Sequence, residues 1–240
     1  EQEVLNLQND VINDLAGDRG GIYTASSDGW VGYIDKYGNL RNAYIAQSGL
    51  QSIARTRNES CVYVGADNQE IYRYNWGSGS KQQIEVDQTL GDENDRISDI
   101  HYYSDGKDDY VAYTLDSRKL LVLLRLTGMC RGEVIAKGRI TSRELKFGDI
   151  CFADETLIYS VEGKGIFGML VEEAIGEIPE EELLNEHQKL LPLPGAKSFS
   201  LSWANEKKRL FAVAKTEGQE IKNIYALDMV SEPVDSGLIE

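Results

Sequence analysis

Apolar and polar positions along this chain fall into a recurring unit. An apolar strand pattern, a turn and a second apolar strand pattern return five times, at intervals of about 40 to 52 residues. The clearest copies read GGIYTASSDGWVGYIDKYG (20–38), SCVYVGADNQEIYRYNWGSG (60–79) and DYVAYTLDSRKLLVLLRLTG (109–128); TLIYSVEGKGIFGMLVEE (156–173) and KRLFAVAKTEGQEIKNIYALDM (208–229) are weaker. A period in this range marks a propeller or another array whose units bury their apolar faces on one another. Enrichment in Val, Ile, Tyr and Phe between turn signals predicts strands. The second strand of each unit is almost wholly apolar or small, as expected of a strand covered on both faces.

The units lay out as blades of four antiparallel strands over residues 11–46, 50–86, 96–137, 147–193 and 197–228. The fifth lacks an outer strand, and Val4–Leu7 precedes the first with no place inside it. Setting Val4–Leu7 on the outer edge of the fifth blade stitches the chain ends into one sheet and leaves no loose edge. The expected fold is therefore all-β, a five-bladed propeller whose N-terminal strand closes the last blade. The rival is a fragment of a larger, seven-bladed ring, with Val4–Leu7 belonging to another blade. Residues 174–188 depart from the repeat: seven Glu and no Lys or Arg stand between Glu172 and Glu186. Pro179 ahead of Glu180–Leu184 predicts a helix start, since proline is tolerated and carboxylates are favoured in a first turn. This segment reads as an insertion between the third and fourth strands of blade four, either a solvated loop or short helix, or an acidic docking element.

Three stretches, VINDLAGDRGGIYTASSDGWVGYID (11–35), LQSIARTRNESCVYVGADNQEIYRYN (50–75) and ISDIHYYSDGKDDYVAY (97–113), resemble WD-repeat propeller blades. They share an inner strand of apolar-x-Asp/Ser-apolar form, a strand ending in small residues, an Asp-containing turn and an outgoing strand ending in Asp or Asn. The resemblance covers nearly the whole chain, loosely in units four and five. No unit has the Gly-His pair or the terminal Trp-Asp of that family; only Asp35 and Asp228 stand where its Asp would be. SDGWVGYIDKYGNL (27–40) resembles quinone-enzyme propeller repeats about equally well. The WD resemblance implies a protein-interaction scaffold.

Aligning the units gives a register. Asp14, Ser52, Asp99, Asp149 and Ser200 each precede an apolar residue on an inner strand, so they form a polar ring along the channel. Such residues bond to nearby backbone amides and channel water. Alternatively the three carboxylates around one axis bind a cation, or Asp14, Asp99 and Asp149 supply the acid, base and positioning groups of a glycan-acting enzyme, with Tyr102, Tyr103 and Trp203 as candidates to stack on a sugar. Asp28, Asp67 and Asp116 recur in the hairpin turns that face the inter-blade loops. Loops on a rigid ring carry binding, and Trp30, Asn68, Asp92, Glu93, Asp95 and Arg118 are the candidate rim residues.

Other chemistry lacks its residues. Gly163–Gly168 matches GxGxxG but sits in a β-hairpin rather than a strand–helix turn, so no nucleotide site is expected. His101 and His187 are the only histidines, far apart; His101 reads as a satisfied structural residue, and neither a metal nor a cofactor is expected. Cys61, Cys130 and Cys151 never form CxxC and read as reduced, buried core residues. Asn58-Glu59-Ser60 fits the glycosylation pattern, which matters only in a secreted protein. The net charge of -15 argues against nucleic acid and favours a basic peptide or domain as partner. No apolar run reaches a membrane-spanning length. The expected location is intracellular, in cytoplasm or nucleus; an extracytoplasmic assembly factor with quinone-enzyme-like blades is a further alternative.

Overall fold

The computed structural model describes residues 11–17, 20–56, 61–86, 95–115, 117, 119–128, 131–141, 144–178, 189–216, 218 and 222–229. Blade one is β1 (Ile12–Gly17), β2 (Gly21–Ser26), β3 (Trp30–Asp35) and β4 (Leu40–Tyr44). Blade two is β5 (Leu50–Arg55), β6 (Cys61–Ala66), β7 (Ile71–Asn75) and β8 (Lys81–Ile84). Blade three holds β9 (Ile97–Ser104), β10 (Asp108–Leu115), β11 (Leu120–Thr127) and β12 (Val134–Thr141). Blade four is β13 (Phe147–Ala153), β14 (Thr156–Val161) and β15 (Gly165–Leu170), with β17 (Lys189–Pro192) outermost. Blade five is β18 (Ala196–Ala204), β19 (Arg209–Thr216) and β20 (Asn223–Asp228). Within each blade, consecutive members pair antiparallel. The fold is all-β, in five propeller blades. Val4–Leu7, expected to close blade five, lies outside the described residues.

The core is distributed over the seams between blades. Every residue of β6 and of β10 is buried, as expected for strands sandwiched between neighbouring sheets. Tyr23, Ala25 and Val31 of blade one meet Ile53, Val62 and Val64 of blade two. Tyr63 and Ile71 then meet Val111 and Leu120, Tyr110 and Leu123 meet Phe147 and Tyr159, and Ile158 and Ile166 meet Leu201 and Ala212. Polar bonds lock one seam at its outer end. Glu172 of blade four accepts from Tyr110 Oη at 2.9 Å, and its second oxygen lies 3.4 Å from Arg125 of blade three.

The acidic segment starts differently from expectation. Its first residues form β16 (Gly176–Ile178), which pairs in parallel with β12 and gives blade three a fifth strand. The close approach needs glycine: a Cβ on Gly138 would stand 1.6 Å from the Ala174 carbonyl oxygen. Pro179 and the expected helix start lie outside the described residues. A second correction concerns the cysteines. Cys151 is free and buried, but Cys61 is disulfide-bonded. Spacing along the chain does not report which cysteines blade packing brings together.

Among the described residues, one sheet face is uncovered. Leu15 occupies the position held in the other blades by Ile53, Ile100, Ile150 and Leu201. It is 59% exposed where they are 6% or less. Val11, Ile22, Trp30 and Tyr44 are exposed on the same blade. Replacing Ile150 by Ala should therefore cost about 2–5 kcal/mol, and Leu15→Ala no more than about 0.5 kcal/mol, in urea unfolding of the two variants. Equal losses would mean that blade one's outer face is covered in solution.

Candidate binding face and central channel

The inner strands carry the channel, and each contains a bulge. The ladder register shifts around Asn13, Gln51, Ser98, Gly148 and Lys197. A bulge inserts an unpaired residue and re-aims its neighbours. Here Asn13, Gln51, Ser98 and Gly148, with Asp14, Asp99, Asp149 and Phe199, line a cavity of about 310 Å³. The cavity opens on the face of the hairpin turns, because Ser27 N donates to Val11 O and Asp67 N to Gly49 O, both at 3.0 Å.

The three carboxylates clamp blade to blade. Asp14 Oδ2 accepts from Ile53 N of blade two at 2.9 Å. Asp99 Oδ2 accepts from Ile150 N of blade four at 3.3 Å. Asp149 Oδ2 accepts from Leu201 N of blade five at 2.5 Å. In each case the amide belongs to the residue after the aligned polar position, so the register predicts the partner. Ser52 is too short for this bond. It is buried, its Oγ lies against the Gly65–Ile97 contact, and that Oγ has no hydrogen-bond partner. Ser200 is exposed, on the blade that ends the described array.

The sequence reading missed one member of this group. His101 Nε2 lies 3.3 Å from Asp99 Oδ1, and a ligand atom from each of Asp99, His101 and Asp149 falls within 4.8 Å of the others. Residues two apart on a strand share a face, so the Asp-x-His spacing of 99–101 carried the signal.

Burial raises all three carboxyls, and their surroundings then separate them. Asp14 stays raised, chiefly by burial. Burial and the hydrogen-bonded charge of Asp99 push Asp149 up to about 8. At Asp99 burial is outweighed by the charge and hydrogen bond of His101, which hold it below the usual carboxylate range. Burial favours the neutral ring of His101, but the Asp99 charge lifts it to about 9.

The rim residues are placed unevenly. Trp30 is 38% exposed and packs at 5.5 Å on Tyr44. Asn68 is exposed at positive φ in the 3-10 turn Asp67–Gln69. Asp67 accepts from Gly49 N and Gln51 Nε2 and faces Arg96 at 3.8 Å, tying the turn to the loops on both sides. Asp28 accepts from Ser26 Oγ. Asp95 is buried, with Oδ1 accepting from Ser117 N. Asp92, Glu93, Asp116 and Arg118 lie outside the described residues. Tyr102, Tyr103 and Trp203 line a different cavity of about 400 Å³, with Arg55, Ser104, Phe152 and Asp154; none of the three channel carboxylates lines it.

No protein-family model and no curated protein matches the sequence. Solved structures do match. Hydrazine synthase of Kuenenia stuttgartiensis superposes with TM-score 0.66 at 11% identity, over 96% of this chain and 67% of that one. The Cps50 (Swd1) β-propeller domain of Myceliophteria thermophila gives 0.66 at 10%, over 98% and 72%. The Dos1 propeller gives 0.59 at 13%, over 87% and 56%. At such identities the likeness is one of fold, a WD-like β-propeller. The chain spans between 56% and 72% of the length of these three structures.

The titration of the channel group has a definite sign. Asp149 and His101 are both raised, so the folded chain holds protons that the unfolded chain has released. Stability falls as pH rises through about 4–8 for the first and about 6.5–9 for the second. The lowered Asp99 acts oppositely, losing its contribution only below the ordinary carboxylate range. The urea midpoint in chelating buffer should drop between pH 6 and pH 9, and Asp149→Asn and His101→Gln should each flatten the drop. A midpoint that rises over this interval would contradict the assignment.

Proposed function

We propose that this protein is a non-catalytic interaction scaffold. It binds a basic peptide or domain across the turn face of the propeller. The observation that carries this reading is the construction of that face. The turns held by Asp67 and Asp28 carry exposed Asn68 and lead into exposed Trp30, and a cavity lined with Asp14, Asp99 and Asp149 opens on the face of these turns. A rigid framework with an exposed aromatic suits recognition, and a chain of net charge -15 steers cations toward itself. The WD-like fold agrees with the scaffold reading without naming a partner. On a peptide array, retention should follow Lys/Arg content and weaken as salt rises from about 0.05 to 0.3 M. Trp30→Ala should weaken it by about tenfold or more, as for a truncated aromatic anchor. Retention indifferent to both salt and Trp30 would overturn the reading.

The glycan-acting alternative fits the geometry less well. Carboxylate oxygens of Asp99 and Asp149 lie within 4.8 Å of each other, whereas acid and nucleophile need separations of about 5 Å or more around a glycosidic bond. The candidate sugar-stacking rings also line the other cavity. The Cys61 disulfide bears on location instead. Such bonds persist in oxidising compartments, which favours an extracytoplasmic assembly role over a cytoplasmic or nuclear one. Among the described residues no helix is long and apolar enough to cross a membrane. Thiol titration of chain taken from its native source, denatured without reductant, should find fewer than three free cysteines. Three free thiols would restore the cytoplasmic or nuclear reading.

A further inference from the structure

We infer that Asp99, His101 and Asp149 form a divalent-metal site in the propeller channel. The three side chains hold the ion, and the cavity at the turn face supplies its water. The donor set is mixed, two carboxylates and one imidazole, brought together from the inner strands of adjacent blades. Zinc–nitrogen and zinc–oxygen bonds of about 2.0–2.2 Å place neighbouring ligands of a tetrahedral ion roughly 3.3–3.5 Å apart. The 3.3 Å between His101 Nε2 and Asp99 Oδ1 already has that length. One ligand atom from each of the three residues lies within 4.8 Å of the others, close to the spacing around a single ion.

The clamps leave the ligand atoms free to bind. Asp99 spends Oδ2 on Ile150 N, and Oδ1 faces the histidine. Each Asp149 oxygen accepts one amide, and a carboxylate oxygen has a second lone pair. The amides thus act as an outer shell that fixes the ligand oxygens. The Asp99 and His101 side chains are 22% and 34% exposed, which gives a hydrated ion a path in. Imidazole with carboxylates suits Zn²⁺, Co²⁺ or Mn²⁺ over soft monovalent copper. Asp14 is a charged neighbour of the site and not a ligand.

The test uses tag-free full chain stripped with EDTA and titrated with Zn²⁺ alone and Co²⁺ alone. Calorimetry and elemental analysis should find one ion per chain, and Co²⁺ should show a ligand-field spectrum of a nitrogen–oxygen site. His101→Gln should weaken binding by about 100-fold while leaving the far-ultraviolet spectrum unchanged, since His101 makes no inter-blade clamp. Asp99→Asn should do the same where it folds, and Asp14→Asn should cost less than about tenfold. Uptake well below one ion per chain, or His101→Gln binding as the parent does, overturns the proposal. Peptide retention by His101→Gln, measured beside its metal uptake, separates failure of this proposal from failure of the scaffold reading.

Discussion

The second strands of blades two and three are too apolar to face water on either side, and the rest of the molecule follows from covering them. β6 and β10 are buried along their whole length, so the sheets of these blades are each pressed between two others. With burial of apolar area stabilising by about 25 cal/mol per Å², the seams contribute far more than any single polar bond. Turns and rim are then fixed by where the sheets end. The inner strands are forced into one channel, where their polar residues have no solvent-facing alternative.

That enclosure explains the carboxylates. An inner-strand bulge frees an amide of the ladder, and a buried amide needs an acceptor. A neighbouring blade supplies one through Asp14, Asp99 or Asp149. The same solution, repeated around one axis, concentrates negative charge in a confined space. His101 answers part of it. The group that secures the ring is thus also the group with unusual proton affinity, so stability and ion chemistry share the same atoms.

Much of this was legible in the chain. Strand positions followed from alternation between turn signals, and aligning units placed the Asp residues at equivalent sites. The amide partners Ile53, Ile150 and Leu201 are simply the residues after the next aligned position. Other features depend on tertiary proximity. Leu15 reads in sequence like Ile53 or Ile150, and only the missing neighbour makes it exposed. β16 pairs with another blade over three residues, too short a run for any periodicity to announce. Cys61 is disulfide-bonded, which cysteine spacing does not announce. His101 taken alone carries no signal; together with Asp99 two positions earlier on the same strand face, it belongs to the channel.

The uncovered face of blade one and the charged channel are connected through the order of the clamps. Each Asp reaches forward, from its own blade to the next. Asp14 therefore reaches into blade two, and nothing among the described residues reaches into blade one, whose Leu15 amide is met by Asp14 of its own strand at 2.7 Å. At the other end, Ser200 stands where a forward clamp would start and is exposed. Both observations place the weakest part of the described array at the boundary of blades one and five, where among the described residues neither an apolar cluster nor a carboxylate bond joins neighbours. The strongest part lies between blades three, four and five, where two successive clamps and His101 meet. Local opening is expected to begin at blade one and to reach the Asp99–His101–Asp149 group last. A ligand group built on those three residues therefore keeps its geometry while the outer blades fluctuate.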